Sequence, residues 1–114
     1  MIQTTYTDYV QDILDSINEI EEFVRGIAFE EFIKDKKTLN AVLRSLEIMG
    51  EAAKKIPENI RSQYPSVPWR KMTGMRDKLI HEYSGVDTEI VWQTIKKDLP
   101  KVKPLIKQIK QEMG

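Results

Sequence analysis

The sequence contains no cysteine and only one histidine among its 114 residues. Without thiols, neither a disulfide framework nor a thiolate metal site can form, and a single histidine cannot complete an ordinary zinc site. Di-iron bundles use Glu-x-x-His pairs, but the residue three before His81 is Lys78. Glu47 and Glu51, which share a helix face, leave open a weak site for a hard cation. We otherwise expect no metal and no cofactor.

Long apolar runs are absent as well. No stretch approaches the roughly 20 residues that cross a bilayer, and the start, Met-Ile-Gln-Thr-Thr, lacks the basic and then apolar pattern of a signal peptide. There is no glycine-rich phosphate loop and no nucleophile elbow. These absences predict a cytoplasmic protein that does not associate with a membrane.

Net charge is also lacking, because 18 basic side chains balance 18 acidic ones. A neutral chain is not expected to coat nucleic acid by bulk electrostatics. The charges are nevertheless unevenly placed: residues 1–35 hold nine acids and two bases, whereas residues 96–114 hold six lysines and two acids. This asymmetry fits docking of a partner, folding of one end onto the other, or simply helices with charged outer faces.

Glycine and proline number five each and stand where helices are expected to end. Apolar residues recur at intervals of three and four, which predicts helices over about 9–27, 36–56 and 68–83, one starting after Asp87, and a last one after a kink or break at Pro100 and Pro104. Asp8, Asp35 and Asp87 are the predicted N-caps, and residues 57–68 are predicted to be irregular. We predict an all-α protein, one domain over 1–114, built as an antiparallel up-and-down bundle of about four or five helices.

The segment Arg-Asp-Lys-Leu-Ile-His-Glu-Tyr, residues 76–83, does not fit a plain core or surface pattern. Asp77 and His81 are one helical turn apart, so the carboxylate can orient the imidazole. Arg76 and Tyr83 fall on a nearly common stripe, whereas Arg76 and His81 lie about 140° apart around the axis. One copy of this helix therefore cannot easily direct Arg76 and His81 at the same small group. Two copies related by a two-fold axis can do so, because each copy supplies one of the two side chains. We predict a homodimer with a composite cleft.

The residue types in this segment suit cleavage of RNA without a metal ion. Arg76 is a permanent cation that fits phosphate oxygens, and an imidazole can transfer the protons when a 2′-hydroxyl attacks the adjacent phosphorus. A local positive patch at 69–78 adds Arg70, Lys71 and Lys78. A lone histidine is more often structural, so the hypothesis rests on its neighbours. The two tryptophans could stack on bases, but their spacing favours the core for Trp69 and Trp92.

The pattern Arg76-Asp77-x-x-x-His81-x-Tyr83 resembles the Arg-x4-6-His signature of HEPN domains. The flanking segments add to the likeness: Arg44-Ser45-Leu46-Glu47-Ile48-Met49-Gly50-Glu51-Ala52-Ala53-Lys54, Pro68-Trp69-Arg70, Gly74-Met75-Arg76, Gly85-Val86-Asp87 and Val91-Trp92. Over roughly residues 8–110 the chain is similar to the HepT-like family of prokaryotic toxins.

The resemblance implies a HEPN-like bundle that dimerises through its signature helices and cleaves RNA as a metal-independent endoribonuclease. Arg76 and His81 become the catalytic pair, and Asp77 a supporting residue. It also implies a type VII-like toxin–antitoxin system, in which an MNT-type nucleotidyltransferase antitoxin blocks the toxin by adenylylating Tyr83. An alternative is a non-catalytic helical module that binds and regulates that partner, and a third is a structural dimer without a ligand. Neutral charge favours the module, and the intact Arg, Asp and His set favours the enzyme.

Overall fold

The computed structural model describes residues 6–113 apart from 82–85. In the helix Trp69–His81, the side chains of residue 76 and residues 78–81 are not described. The described chain is built from helices, as predicted. In order they are α1 (Tyr6–Phe23), α2 (Phe29–Phe32), α3 (Lys36–Lys55), α4 (Glu58–Gln63), α5 (Trp69–His81), α6 (Thr88–Gln93), a π-helical segment (Thr94–Asp98) and α7 (Leu99–Met113). The prediction of an all-α bundle is therefore confirmed.

The centre of the bundle is the antiparallel pair α1 and α3. Ser45 donates to Glu19 at 3.3 Å, while Lys55 lies over the ring of Tyr9 at 5.8 Å, so the two helices run in opposite directions. The apolar stripes of both helices are buried, with Ile13, Ile17, Ile20, Val42, Leu43, Leu46, Met49 and Ala53 in one core. Burial of each large aliphatic side chain contributes about 1.5–3 kcal/mol.

The turn after α1 depends on Gly26, whose φ of 77° is in the left-handed region that glycine adopts readily. The predicted end of the first helix near Gly26 is thus correct in kind, although α1 stops at Phe23. The predicted N-cap at Asp8 is wrong, because α1 already includes Tyr6 and Asp8 lies in its first turn.

The start of α3 is capped as predicted. Asp35 accepts hydrogen bonds from the Thr38 hydroxyl at 2.6 Å and from the Thr38 backbone N–H at 3.1 Å. The hydroxyl bond, followed by the backbone bond, holds the pKa of Asp35 below its usual value. Asp87 caps α6 in the same way, accepting from the backbone N–H groups of Glu89 and Ile90.

The connection 57–68 is not irregular throughout, because residues Glu58–Gln63 form α4. Pro57 is the N-cap of α4, and its carbonyl accepts hydrogen bonds from the backbone N–H groups of Ile60 and Arg61, each at 3.0 Å. Glu58 supports the turn by pairing with Arg61 at 3.2 Å and accepting from Ser62 at 3.3 Å. The Trp69 indole N–H then donates to the Tyr64 carbonyl at 3.0 Å, which fixes the connection against the start of α5.

Of the predicted kink or break at Pro100 and Pro104, the break is wrong, since helical structure continues from Thr88 to Met113. A proline inside a helix clashes with the carbonyl four residues earlier and leaves it without a donor. For Pro100 that carbonyl belongs to Lys96, which lies in the π-helical segment. The wider turn at this carbonyl gives room for the ring of Pro100. Helix α7 then continues and carries Pro104 inside it.

The acidic and basic ends fold onto one another. α7 packs along α1, and Lys103 of α7 pairs with Glu21 of α1 at 2.7 Å. Farther along α7, the Tyr64 hydroxyl donates to Glu112 at 2.7 Å, which raises the pKa of Tyr64 and lowers that of Glu112. Folding of one end onto the other, one of the three readings of the charge asymmetry, is therefore confirmed.

Both tryptophans pack in or against the core, as predicted. Trp69 is buried, and Trp92 packs on the ring of Phe32 with 4.9 Å between ring centroids. Neither is a free platform for a base. In the part of the chain that is described, no helix combines the length and the apolar character needed to span a membrane.

Truncation of a buried isoleucine should destabilise the fold far more than truncation of an exposed one. Ile17 is fully buried, whereas Ile90 is 46% exposed. We expect Ile17→Ala to lower the free energy of unfolding by about 2–5 kcal/mol, because it leaves a cavity, and Ile90→Ala to lower it by less than about 1 kcal/mol. Urea denaturation at one fixed protein concentration measures both. Equal losses would contradict this placement of the core.

Candidate active site

The site helix α5 runs from Trp69 to His81 and packs against α3. Its backbone carries Arg76, Asp77 and His81 on one helix, and His81 is the last residue of this helix that the structure describes. The side chains of Arg76 and His81 are not described, and Tyr83 and the predicted stop at 84–85 lie outside the described residues. Their convergence on one cleft therefore stays a prediction.

Asp77 is the predicted site residue whose side chain is described, and it reaches across to α3. Its Oδ1 lies 3.5 Å from Nζ of Lys54. The two side chains are 46% and 56% exposed, so the pair sits at the surface in contact with water. The predicted hydrogen bond from His81 to Asp77 is not tested by this contact.

Lys54 is absent from the predicted site residues, although it belongs to the segment that carried the family resemblance. Helical spacing relates residues of one helix, and it says nothing about which residue of another helix will face Asp77. The sequence signal that could have pointed to Lys54 is the segment from Arg44 to Lys54, which resembles the HepT-like family and ends at this residue.

The positive patch predicted at 69–78 is partly neutralised. Lys71 pairs with Asp98 of the π-helical segment at 2.8 Å, which ties α5 to the last helical stretch. Arg70 is exposed, and its carbonyl accepts a hydrogen bond from the Thr73 hydroxyl at 3.1 Å. Arg70 therefore keeps its charge available to solvent, while that of Lys71 is engaged.

The outer side of α5 is open. Arg70, Gly74 and Asp77 follow one another at intervals of four and three, so they share a stripe that continues toward His81. Gly74 is exposed, and a Cβ at this position would meet nothing within 4 Å. A ligand can therefore approach the helix backbone closely at Gly74.

Along the part of α5 whose side chains are described, the inner side has no room for a ligand. A cavity of about 20 Å³ lies behind this part of the helix, lined almost entirely by apolar atoms of residues that include Met49, Met72 and Met75. This volume is enough for about one water molecule. At these residues, a ligand can therefore reach α5 only from its outer side.

The carboxylates considered as a cation site are not assembled into one. Glu51 pairs with Lys55 at 3.7 Å along the surface of α3. Among the residues that the structure describes, no three histidine, aspartate or glutamate side chains are grouped so that they could hold a metal ion.

Fold and sequence together define a small helical bundle whose outward-facing site helix carries the Arg-Asp-x-x-x-His pattern. A family model described as "Ribonuclease HepT-like" matches residues 13–109, which include α5 and most of the bundle. The chain belongs to the HepT-like ribonuclease family.

Individual relatives agree with this assignment over nearly their whole lengths. A protein of Thermococcus cleftensis named "Probable ribonuclease HepT" is 47% identical over 110 residues, which cover 96% of this chain and 100% of the relative. A "Putative RNase" of Caldanaerobacter subterraneus subsp. tengcongensis is 46% identical over 91% of this chain and 93% of its own. A Methanocaldococcus jannaschii protein with the same description is 44% identical over 91% and 89%. No solved structure is significantly similar to the chain.

The ion pair between Lys54 and Asp77 should contribute little to stability. Exposed pairs are worth about 0.2–1 kcal/mol, and the apolar contacts between α3 and α5 hold the helices together. We expect Lys54→Ala, Asp77→Ala and the double variant to give a coupling energy below about 1 kcal/mol in a double-mutant cycle. A coupling several times larger would mean that the pair, rather than core packing, positions α5.

Proposed function

We propose that this protein is an endoribonuclease that cleaves RNA through Arg76 and His81 without a metal ion, and that the chain forms one domain. The observation that carries the proposal is the family match over residues 13–109, which includes the segment holding both residues. The open outer side of α5 supports it, because a strand of RNA needs an accessible surface.

The proposed reaction is an internal displacement at phosphorus. The 2′-oxygen forms a bond to the adjacent phosphorus as its proton passes to a base, and the bond from phosphorus to the 5′-oxygen breaks as that oxygen gains a proton. The products are a 2′,3′-cyclic phosphate and a free 5′-hydroxyl. His81 supplies one of the proton transfers, and Arg76 stabilises the charge on the non-bridging oxygens. Asp77 orients His81.

A homodimer is part of the proposal. Arg76 and His81 lie about 140° apart around the helix axis, so one copy offers them to different sides. A two-fold axis beside α5 would bring Arg76 of one protomer toward His81 of the other.

We further propose that the protein acts in the cytoplasm as the toxin of a toxin–antitoxin pair. Its partner would be an MNT-type nucleotidyltransferase that transfers AMP to Tyr83. The added phosphodiester would lie within reach of Arg76 and exclude the substrate phosphate by charge and by volume. Support comes from the sequence alone, because Tyr83 stands two residues after His81.

One observation favours a second candidate, a helical module that binds the nucleotidyltransferase without cleaving RNA. Two of the described cations near α5, Lys54 and Lys71, are engaged by Asp77 and Asp98. This leaves α5 less basic than RNA binding usually requires. Measured cleavage distinguishes the two candidates.

Replacing His81 tests the catalytic proposal. His81→Ala should lower the rate of RNA cleavage by about 100-fold or more, since general acid–base catalysis contributes about 10²–10⁴-fold. The measurement is cleavage of a labelled single-stranded RNA, with helicity and oligomeric state checked by circular dichroism and light scattering. Lys107→Ala, an exposed change on α7, serves as the control.

Cleavage by the wild-type protein should persist in excess chelator and should yield cyclic phosphate ends. A strict requirement for a divalent metal ion would refute the metal-independent mechanism. Undiminished cleavage by His81→Ala would remove His81 from the reaction.

Replacing Tyr83 tests the regulation separately. Tyr83→Phe should cleave RNA at close to the wild-type rate but escape inhibition by the nucleotidyltransferase and ATP, because the acceptor oxygen is gone. Mass spectrometry should find one or more AMP additions on the wild type and none on the variant, with Tyr64→Phe as the control tyrosine. If the transferase still inhibits Tyr83→Phe, binding rather than modification is responsible.

A further inference from the structure

The helical stretch 94–113 carries basic side chains that the fold does not use. Both of its acids are engaged, Asp98 by Lys71 and Glu112 by Tyr64 and Gln108. Lys96 is exposed, and its Nζ lies over the Trp92 ring at 4.8 Å. Four further lysines are exposed and make neither an ion pair nor a cation–π contact within the described part of the chain, namely Lys97, Lys101, Lys107 and Lys110. A neutral protein thus presents uncompensated positive charge on one element.

These four lysines lie in two pairs along the helix. Lys103 pairs with Glu21 and so marks the side that faces α1, and Lys107 and Lys110 follow it at intervals that keep them near that side. Asp98 pairs with Lys71 and marks the side that faces α5. Lys97 is next to Asp98 in the π-helical segment, and Lys101 lies in the first turn of α7, so both lie near the level along the helix at which Asp98 contacts α5.

We propose that Lys97 and Lys101 form a binding ridge for the RNA backbone beside the site helix. The inference rests on the proposed ribonuclease function and specifies where the substrate strand lies. From the ridge, the strand continues over the open stripe of α5, where Arg70 offers a further cation and Gly74 allows close approach to the backbone. The stripe leads to Asp77 and His81.

The charge distribution favours this path over others. The α1 side of the bundle is rich in carboxylates, including Asp12, Asp15 and Glu22 at its exposed surface, and these repel phosphates. Lys107 and Lys110 stand near that acidic side, whereas Lys97 and Lys101 stand next to a helix with an exposed arginine. A groove that tracks a single strand needs cations in sequence along the path, without opposing acids.

The test compares two double variants of equal charge change on the same helix. Lys97→Gln/Lys101→Gln removes the ridge, and Lys107→Gln/Lys110→Gln is the matched control. Binding of single-stranded RNA is measured on the His81→Ala background, so that no substrate is consumed, over a series of salt concentrations. Cleavage is measured with His81 intact, on a long RNA and on a dinucleotide too short to reach the ridge.

The ridge variant should bind roughly 10- to 30-fold more weakly at about 0.1 M salt and lose about 1.4 from the salt slope, because each phosphate contact to a single strand contributes about 0.7. The control should stay near the wild-type slope. Cleavage of the long RNA should fall for the ridge variant alone, and cleavage of the dinucleotide should be unchanged for both.

Equal losses in the two variants would overturn the ridge and indicate bulk electrostatics, and no loss in the ridge variant would also overturn it. Both results leave cleavage by the unmodified protein intact, so they are distinguishable from failure of the proposed function. If the proposed function itself fails, the unmodified protein cuts neither the long RNA nor the dinucleotide. Weakened binding of an acidic protein partner with unchanged RNA binding would assign the lysines to that partner and refute the ridge.

Discussion

The burial of α3 between α1 and α5 is the constraint on which the rest of the structure depends. Its buried apolar residues, from Val42 to Ala53, contact helices on both sides, and burial of each large one contributes about 1.5–3 kcal/mol. The ion pairs across the bundle are mostly exposed and weak by comparison. They orient side chains on helices that are already in place. The relation between Lys54 and Asp77, for example, follows from the way α3 and α5 pack.

This hierarchy explains how a chain without net charge can still handle a polyanion. Acids and bases pair across helix boundaries, as Lys71 does with Asp98 and Lys103 with Glu21. Each such pair removes one cation and one anion from the outer surface. The charges that remain unpaired at the surface depend on where the side chains lie and not on the net charge. Carboxylates remain on the α1 side, and lysines remain on the last helix. Net charge is therefore a poor guide to where this protein attracts phosphate.

Local features of the fold could be predicted from the sequence, and features that join distant residues could not. The caps at Asp35 and Asp87 and the buried stripe of α3 depend on neighbours within one turn, so spacing alone identified them. Helix α4 was missed because the prolines on either side of it, at positions 57, 65 and 68, suggested a loop. Lys54 beside Asp77 depends on packing between helices and has no local signal. The catalytic assignments of Arg76 and His81 and the modification of Tyr83 remain predictions.

The widened turn at Thr94–Asp98 has a consequence for the rotational phase of the last helix. A π turn holds more residues than an α turn, so side chains after it are rotated relative to an uninterrupted α-helix. Intervals of three and four counted from α6 therefore assign the wrong faces beyond Leu99. The directions in which the lysines of α7 point therefore depend on the π-helical segment that precedes Pro100, which lies several residues before most of these lysines.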